Sequence, residues 1–139
     1  MLRMKLILIL TIFTLSLKAP SYERLVIVQG EAVRPYDPML NAFMFVESSY
    51  RQNVVNSLGY TGILQIGQAM TDEANRLNIM SGNPVRYSFP TCALDSLQSV
   101  QIWYTIMNYH NPSYSLKRAV NVWNPLSSGK YYDKIKAKI

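Results

Sequence analysis

The stretch from Asp37 to Tyr50 constrains the fold most. Met39, Leu40, Ala42, Phe43, Met44 and Val46 leave almost no polar side in a helical register, and a helix that is apolar nearly all round has to be buried. Asp37 before Pro38 predicts its start, because a carboxylate can cap free backbone amides and proline tolerates the first helical position. The end is expected between Ser48 and Tyr50. A chain of 139 residues has to enclose this helix with no covalent staple, since Cys92 is its one cysteine and excludes an intramolecular disulfide. Cys92 itself reads as a small buried hydrophobe. With His110, the one histidine, it cannot build a four-ligand zinc cluster. The length allows one domain with a real core and no second globular unit.

The rest of the chain reads as further helices separated by strong punctuation. Asn53, Asn56, Ser57, Gly59, Thr61 and Gly62 give residues 51–65 turn chemistry, which predicts a shaped loop or small hairpin. A second helix is expected over Gly67 to Leu77, with Asp72 and Glu73 favouring its early turns. Gly82, Pro84 and Pro90 break the pattern. The longest helix is expected over Thr91 to Tyr109, its apolar side built from Leu94, Leu97, Val100, Ile102, Tyr104 and Met107, and Asn111 with Pro112 stops it. Ser115 caps a further helix through Leu116, Ala119, Val120 and Trp123, which Asn124, Pro125 and Gly129 end before a last segment to Ile139. The expected fold is mainly α, a compact helical bundle with one irregular connection after the first helix.

The amino terminus is of another kind. Arg3 and Lys5 precede an apolar run from Leu6 to Leu15 that Thr11 and Thr14 interrupt. Two cations and a short apolar core describe a secretory signal, and a run of about ten residues falls short of the roughly 20 that span a bilayer. Residues 1–19 are therefore expected to direct export, to a periplasmic or extracellular place at the cell wall, whether cleaved or kept as an anchor. Residues 20–36, with Pro20, Gly30 and Pro35, read as an amino-terminal arm in which Arg24 to Gln29 forms a short strand or helix; residues 37–139 form the domain. Removing Arg3, Lys5 and Lys18 reduces the formal charge from +6 to +3, 11 bases against 8 acids. Such an excess suits an anionic surface and does not argue for nucleic acid. Lys130, Lys134, Lys136 and Lys138 around Tyr131 and Tyr132 read as the solvated face of a final helix.

Glu47 is the residue that local physics explains least. A carboxylate near the carboxyl end of a helix meets the unfavourable end of its dipole, and Phe43, Met44 and Val46 predict poor hydration. Both effects favour the neutral carboxyl that a general acid needs. Asp72, Glu73 and Asp95 are explained as helix starts, and His110 closes the long helix where an imidazolium complements the dipole. A Ser-His-Asp hydrolase is not expected, because no Gly-x-Ser-x-Gly elbow is present.

The residues from Glu47 onward resemble a known pattern. Glu47-Ser48, then Asn56-Ser57-Leu58-Gly59-Tyr60-Thr61-Gly62-Ile63-Leu64-Gln65-Ile66, is similar to the signature of the soluble lytic transglycosylase family, Glu-Ser at a helix end and then Ser-x-x-Gly-x-x-Gly-Leu-Met-Gln, with Asn56 three residues before the first glycine and Ser57 two. Ala119 to Trp123-Asn124 resembles that family's Ala-x-x-x-Tyr-Asn element, and Tyr131 or Tyr132 with Ile135 its closing Tyr-x-x-Val. Three elements in order span about 90 residues, which makes them more specific together than singly. Trp123 stands for the usual tyrosine, Pro125 for a small residue, and the Asn-Ile-x-x-Gly element is not recognisable in Leu94 to Val100.

The resemblance implies a lysozyme-like domain that cleaves the β-1,4 bond between muramic acid and glucosamine in peptidoglycan, with Glu47 as single acid and base and a 1,6-anhydro product. It implies Ser57, Gly62, Gln65, Trp123, Asn124, Tyr131 and Tyr132 as substrate-binding residues. Gly59 and Gly62 would let the backbone approach a sugar, and Tyr60, Trp123, Tyr131 and Tyr132 would stack on sugars or pack in the core. No cofactor or metal is implied, and the expected partner is the peptidoglycan glycan strand, bound by a monomer. A membrane would be met only through a retained leader. Two other readings stay open: a goose-type muramidase on the same fold, in which water replaces the internal hydroxyl, and a peptidoglycan-binding protein without turnover.

Overall fold

The structure, a computed structural model, describes residues 37–139 and the backbone of residues 26–28 and 31–33. The chain divides into two units, Met1–Pro35 and Tyr36–Ile139. In the first, β1 (Val26–Val28) and β2 (Glu31–Val33) pair antiparallel, Val26 opposite Val33 and Val28 opposite Glu31. The Arg24 to Gln29 segment thus contains a strand. The expected leader at residues 1–19 lies outside the described residues.

The second unit is mainly helical, with α1 (Pro38–Ser48), α2 (Gln68–Met80), α3 (Thr91–Leu94), α4 (Ser96–His110), α5 (Leu116–Trp123) and α6 (Gly129–Lys136). Helix α1 starts where Asp37 and Pro38 predict, and the Asp37 carboxylate accepts from Leu40 N at 3.0 Å. Asp37 is only 8% exposed, and its carboxylate also accepts from the Tyr104 and Tyr114 hydroxyls, which tie the helix start to α4 and to the turn that follows it. Met39, Leu40, Ala42, Phe43 and Met44 are all buried, as an apolar helix requires. Fully burying side chains of this size stabilises the fold by about 1.5–3 kcal/mol each.

Aromatic contacts show how the other helices cover α1. The Phe43 ring lies 4.5 Å from Trp103 of α4 and 6.2 Å from Tyr131 of α6, and Trp103 in turn meets Trp123 of α5 edge-on at 4.8 Å. Four helices are joined through this one line of rings, in the tilted and edge geometries that ring quadrupoles favour. Cys92 is fully buried within the same core.

The expected helix over Thr91 to Tyr109 is two helices. Asp95 is extended, with φ −100 and ψ 114, and its side chain accepts from Gln98 N at 3.0 Å. A residue that caps a new helix start cannot also continue the preceding one. The inward stripe differs as well: Ser99, Ile102, Trp103, Ile106 and Met107 are buried, while Leu94 is exposed. Helix α2 runs to Met80 instead of Leu77, and its first turn holds no acid, so Asp72 and Glu73 are not start signals. Ser115 caps α5 as expected, its hydroxyl accepting from Arg118 N at 3.3 Å.

Candidate active site

Helix α1 ends abruptly, and that end places Glu47. Ser49 turns left-handed at φ 53 and returns its N–H to Met44 and Phe45 carbonyls. The Ser48 hydroxyl donates to the Ile63 carbonyl at 2.8 Å, which fastens the helix end to the next loop. Glu47 therefore sits on a last turn held from both sides.

The loop of residues 51–66 is tied at Thr61, which bridges to Val55 on one side and to Ile66 on the other. Asn56 folds its tip, because its side-chain oxygen accepts from Leu58 N at 2.9 Å and Tyr60 N at 3.0 Å while Gly59 takes φ +84. Ile63, Leu64 and Ile66 are buried in the core. The loop is thus as much part of the packing as any helix.

A cleft of about 660 Å³ opens beside Glu47, within the range of small-ligand sites. Asn56, Leu58, Tyr60 and Gln65 of the loop form one wall, and Ala69, Met70 and Glu73 of α2 with Ile106 and His110 of α4 another. Asn121 to Leu126, from the end of α5 onward, close the third side.

Glu47 is half-buried in this cleft. Burial raises its pKa above the ordinary 4.5, and the Tyr131 hydroxyl, which donates to Glu47 Oε1, opposes part of that rise. Desolvation disfavours a charge and a donor favours it, so the two effects carry opposite signs. Tyr131 is held neutral in its turn: burial, and then the Glu47 carboxylate beside it, push its pKa well up. The arrangement is a carboxyl that keeps a proton at higher pH than usual, next to a phenol that stays a donor.

The expected binding residues divide. Gln65, Trp123 and Asn124 line the cleft together with Glu47, and Tyr131 meets Glu47 directly. Gln65 is only 7% exposed, however, and its amide donates to Val54 O at 3.1 Å and Gly62 O at 3.0 Å, so it chiefly braces the loop. Trp123 is buried, with its indole N–H donating to Leu64 O at 3.2 Å, which makes it core packing behind the wall. Ser57 is exposed and does not line the cleft. Tyr132 packs against the core and does not line it either.

Gly62 also departs from expectation. A side chain there would place its Cβ 1.7 Å from the Ala93 carbonyl oxygen. The close approach this glycine permits is to the backbone of α3, not to a ligand. Tyr60, by contrast, does line the cleft.

Glu73 and His110 are the cleft residues that sequence reasoning missed. Glu73 Oε1 lies 2.6 Å from His110 Nε2, and Arg76 grips the same carboxylate with two bonds of 2.7 Å. The Arg76 hydrogen bonds lower the Glu73 pKa to about 2, against a smaller opposing effect of burial. The available signal was helical spacing: Ala69, Met70 and Glu73 share one face of α2, and an acid on a largely apolar face needs a reason. Among the described residues no group of three His, Cys, Asp or Glu side chains is gathered that could hold a metal ion.

Comparison of the chain with protein-family models, with curated proteins and with solved structures returns no match.

Proposed function

We propose that this protein is a peptidoglycan lytic transglycosylase built on a lysozyme-like domain and exported to the cell wall. One observation carries the reading: Glu47 is a poorly hydrated carboxyl whose pKa is raised, in the wall of a cleft, with the Tyr131 phenol on its Oε1. A general acid for glycoside cleavage has to be neutral before reaction and anionic after it. Opposed effects on one carboxyl suit both states.

The chemistry needs no second carboxylate. Glu47 gives its proton to the glycosidic oxygen as the bond from that oxygen to C1 of muramic acid breaks. The N-acetyl oxygen of the same sugar bonds to C1 in its place and stabilises the positive centre. Glu47, now a carboxylate, takes the proton of the muramic 6-hydroxyl. The 6-oxygen then bonds to C1, the acetamide is released, and a 1,6-anhydro ring closes. Throughout, Tyr131 can donate to whichever state of Glu47 carries charge.

Mass spectrometry of the products from purified peptidoglycan tests this. Anhydro ends, lighter by one water than reducing ends, support the transglycosylase; reducing ends make the protein a muramidase on the same site. Equal solubilisation of cell wall by wild type and Glu47→Gln ends the catalytic reading and leaves a binding protein.

A further inference from the structure

Charge is unevenly distributed along the described domain. Residues 37–111 carry Arg51, Arg76 and Arg86 against Asp37, Glu47, Asp72, Glu73 and Asp95, a side-chain charge of −2. Residues 112–139 carry Lys117, Arg118, Lys130, Lys134, Lys136 and Lys138 against Asp133 alone, a charge of +5. The basic segments are α5 and α6, which pack on each other.

Within α6, Tyr131 and Ile135 are four residues apart and face the core, Ile135 fully buried. Lys130, Lys134 and Lys138 keep the same four-residue step one position earlier, so they line one side of the helix and its continuation. All three are exposed and none forms an ion pair with a described residue, but the Lys138 ammonium lies 4.2 Å over the Phe45 ring, which leaves Lys130 and Lys134 as the outward pair. Large aliphatic side chains flank α6 in the chain, and the first of them, Leu126, also stands at the rim of the cleft. Leu126, just before α6, is 97% exposed, and Ile139, just after it, is 57% exposed.

We propose that α6 and its flanking aliphatic residues dock on an anionic lipid surface. Lysines next to exposed aliphatic groups suit a bilayer, which offers phosphates to the first and an acyl boundary to the second. A soluble polyanion would use only the lysines and leave Leu126 and Ile139 in water. Single-stranded nucleic acid would in addition ask for exposed aromatic faces on which bases stack, but Tyr131 and Tyr132 are packed against the core. Docking this way lies beyond the glycan chemistry and does not depend on it.

The test is co-sedimentation of the full chain with phosphatidylglycerol-containing vesicles and with pure phosphatidylcholine vesicles. Wild type should bind the anionic vesicles, with an affinity that falls as salt rises. The Lys130→Glu, Lys134→Glu double variant should lose at least about twenty-five-fold, at roughly fivefold for each lysine near an anionic surface. Leu126→Asn should lose roughly tenfold for the aliphatic contact. The double variant should keep the wild-type circular dichroism and melting temperature. Binding that survives the lysine changes without needing anionic lipid would place membrane contact on the Leu6 to Leu15 run and overturn the proposal. Equal binding of polyphosphate or duplex DNA, with Leu126→Asn unchanged, would overturn it in favour of a soluble polyanion.

Discussion

Tyr131 and Glu47 stand 84 residues apart in the chain and share a hydrogen bond that joins α6 to the last turn of α1. The bond has a sign: it favours the charged carboxyl, whereas the burial that α6 helps to impose favours the neutral one. Burial is the larger effect, so Glu47 titrates above an ordinary carboxyl. Several consequences of this pairing and of the loop behind it can be measured.

Glu47→Gln should remove cleavage of peptidoglycan, a loss of roughly 10²–10⁴ for a general acid. It should also make the protein more stable at neutral pH. A carboxyl whose pKa is raised by folding supports the fold below its unfolded value of about 4.5 and loses that support as pH rises through the folded value. Glutamine has no such dependence. The melting temperature of the variant should therefore exceed wild type near about pH 8 and converge on it near about pH 4; a gap that is the same at both ends would contradict the raised pKa.

Tyr131→Phe removes the donor and leaves the burial. The Glu47 pKa should rise further, moving the alkaline limb of the kcat/KM profile to higher pH while the maximal rate falls. Stability should drop by about 1 kcal/mol for the lost hydrogen bond. A limb that stays in place or moves down would separate Tyr131 from the titration of Glu47.

Gly62→Ala should destabilise the domain by roughly 3 kcal/mol or more, because its Cβ would meet the Ala93 carbonyl at 1.7 Å and φ is +81. Gly59→Ala, at φ +84 with nothing within 4 Å, should cost about 1 kcal/mol. Thermal or denaturant unfolding of the two variants compares packing with conformation alone. Similar losses would mean that the Ala93 contact is not what restricts position 62.

Trp123→Phe keeps a ring between Trp103 and the loop and removes the indole N–H from Leu64 O. The expected cost is about 1–3 kcal/mol, since a buried carbonyl is left without its donor. Trp123→Ala should cost about 3–5 kcal/mol. Affinity for glycan fragments should change little in the phenylalanine variant. A large loss of affinity with an unchanged melting temperature would instead make Trp123 a sugar platform.

Much of the helical framework is legible locally. Asp37 with Pro38 marks the start of α1 because capping involves only a few neighbouring residues, and Ser115 marks α5 for the same reason. Periodicity alone misjudged α3 and α4: an apolar pattern runs through Asp95, but the backbone there obeys the cap. Glu47 stood out because its misfit with the helix end and its apolar neighbours is itself a local property.

The amino-acid sequence by itself determined that one apolar helix must be buried, that no disulfide can help, and that an ill-placed carboxylate ends that helix. These are matters of composition and of spacing within a few turns of chain. Only the tertiary structure decided what surrounds the carboxylate: that Tyr131 reaches Glu47 and Tyr132 does not, that Gly62 backs on Ala93, and that Glu73 meets His110 across two helices. Such pairings depend on how helices pack, and residues one position apart on a helix point about 100° away from each other. Spacing can place a residue on an element, but which neighbour it meets is settled by the elements packed against it.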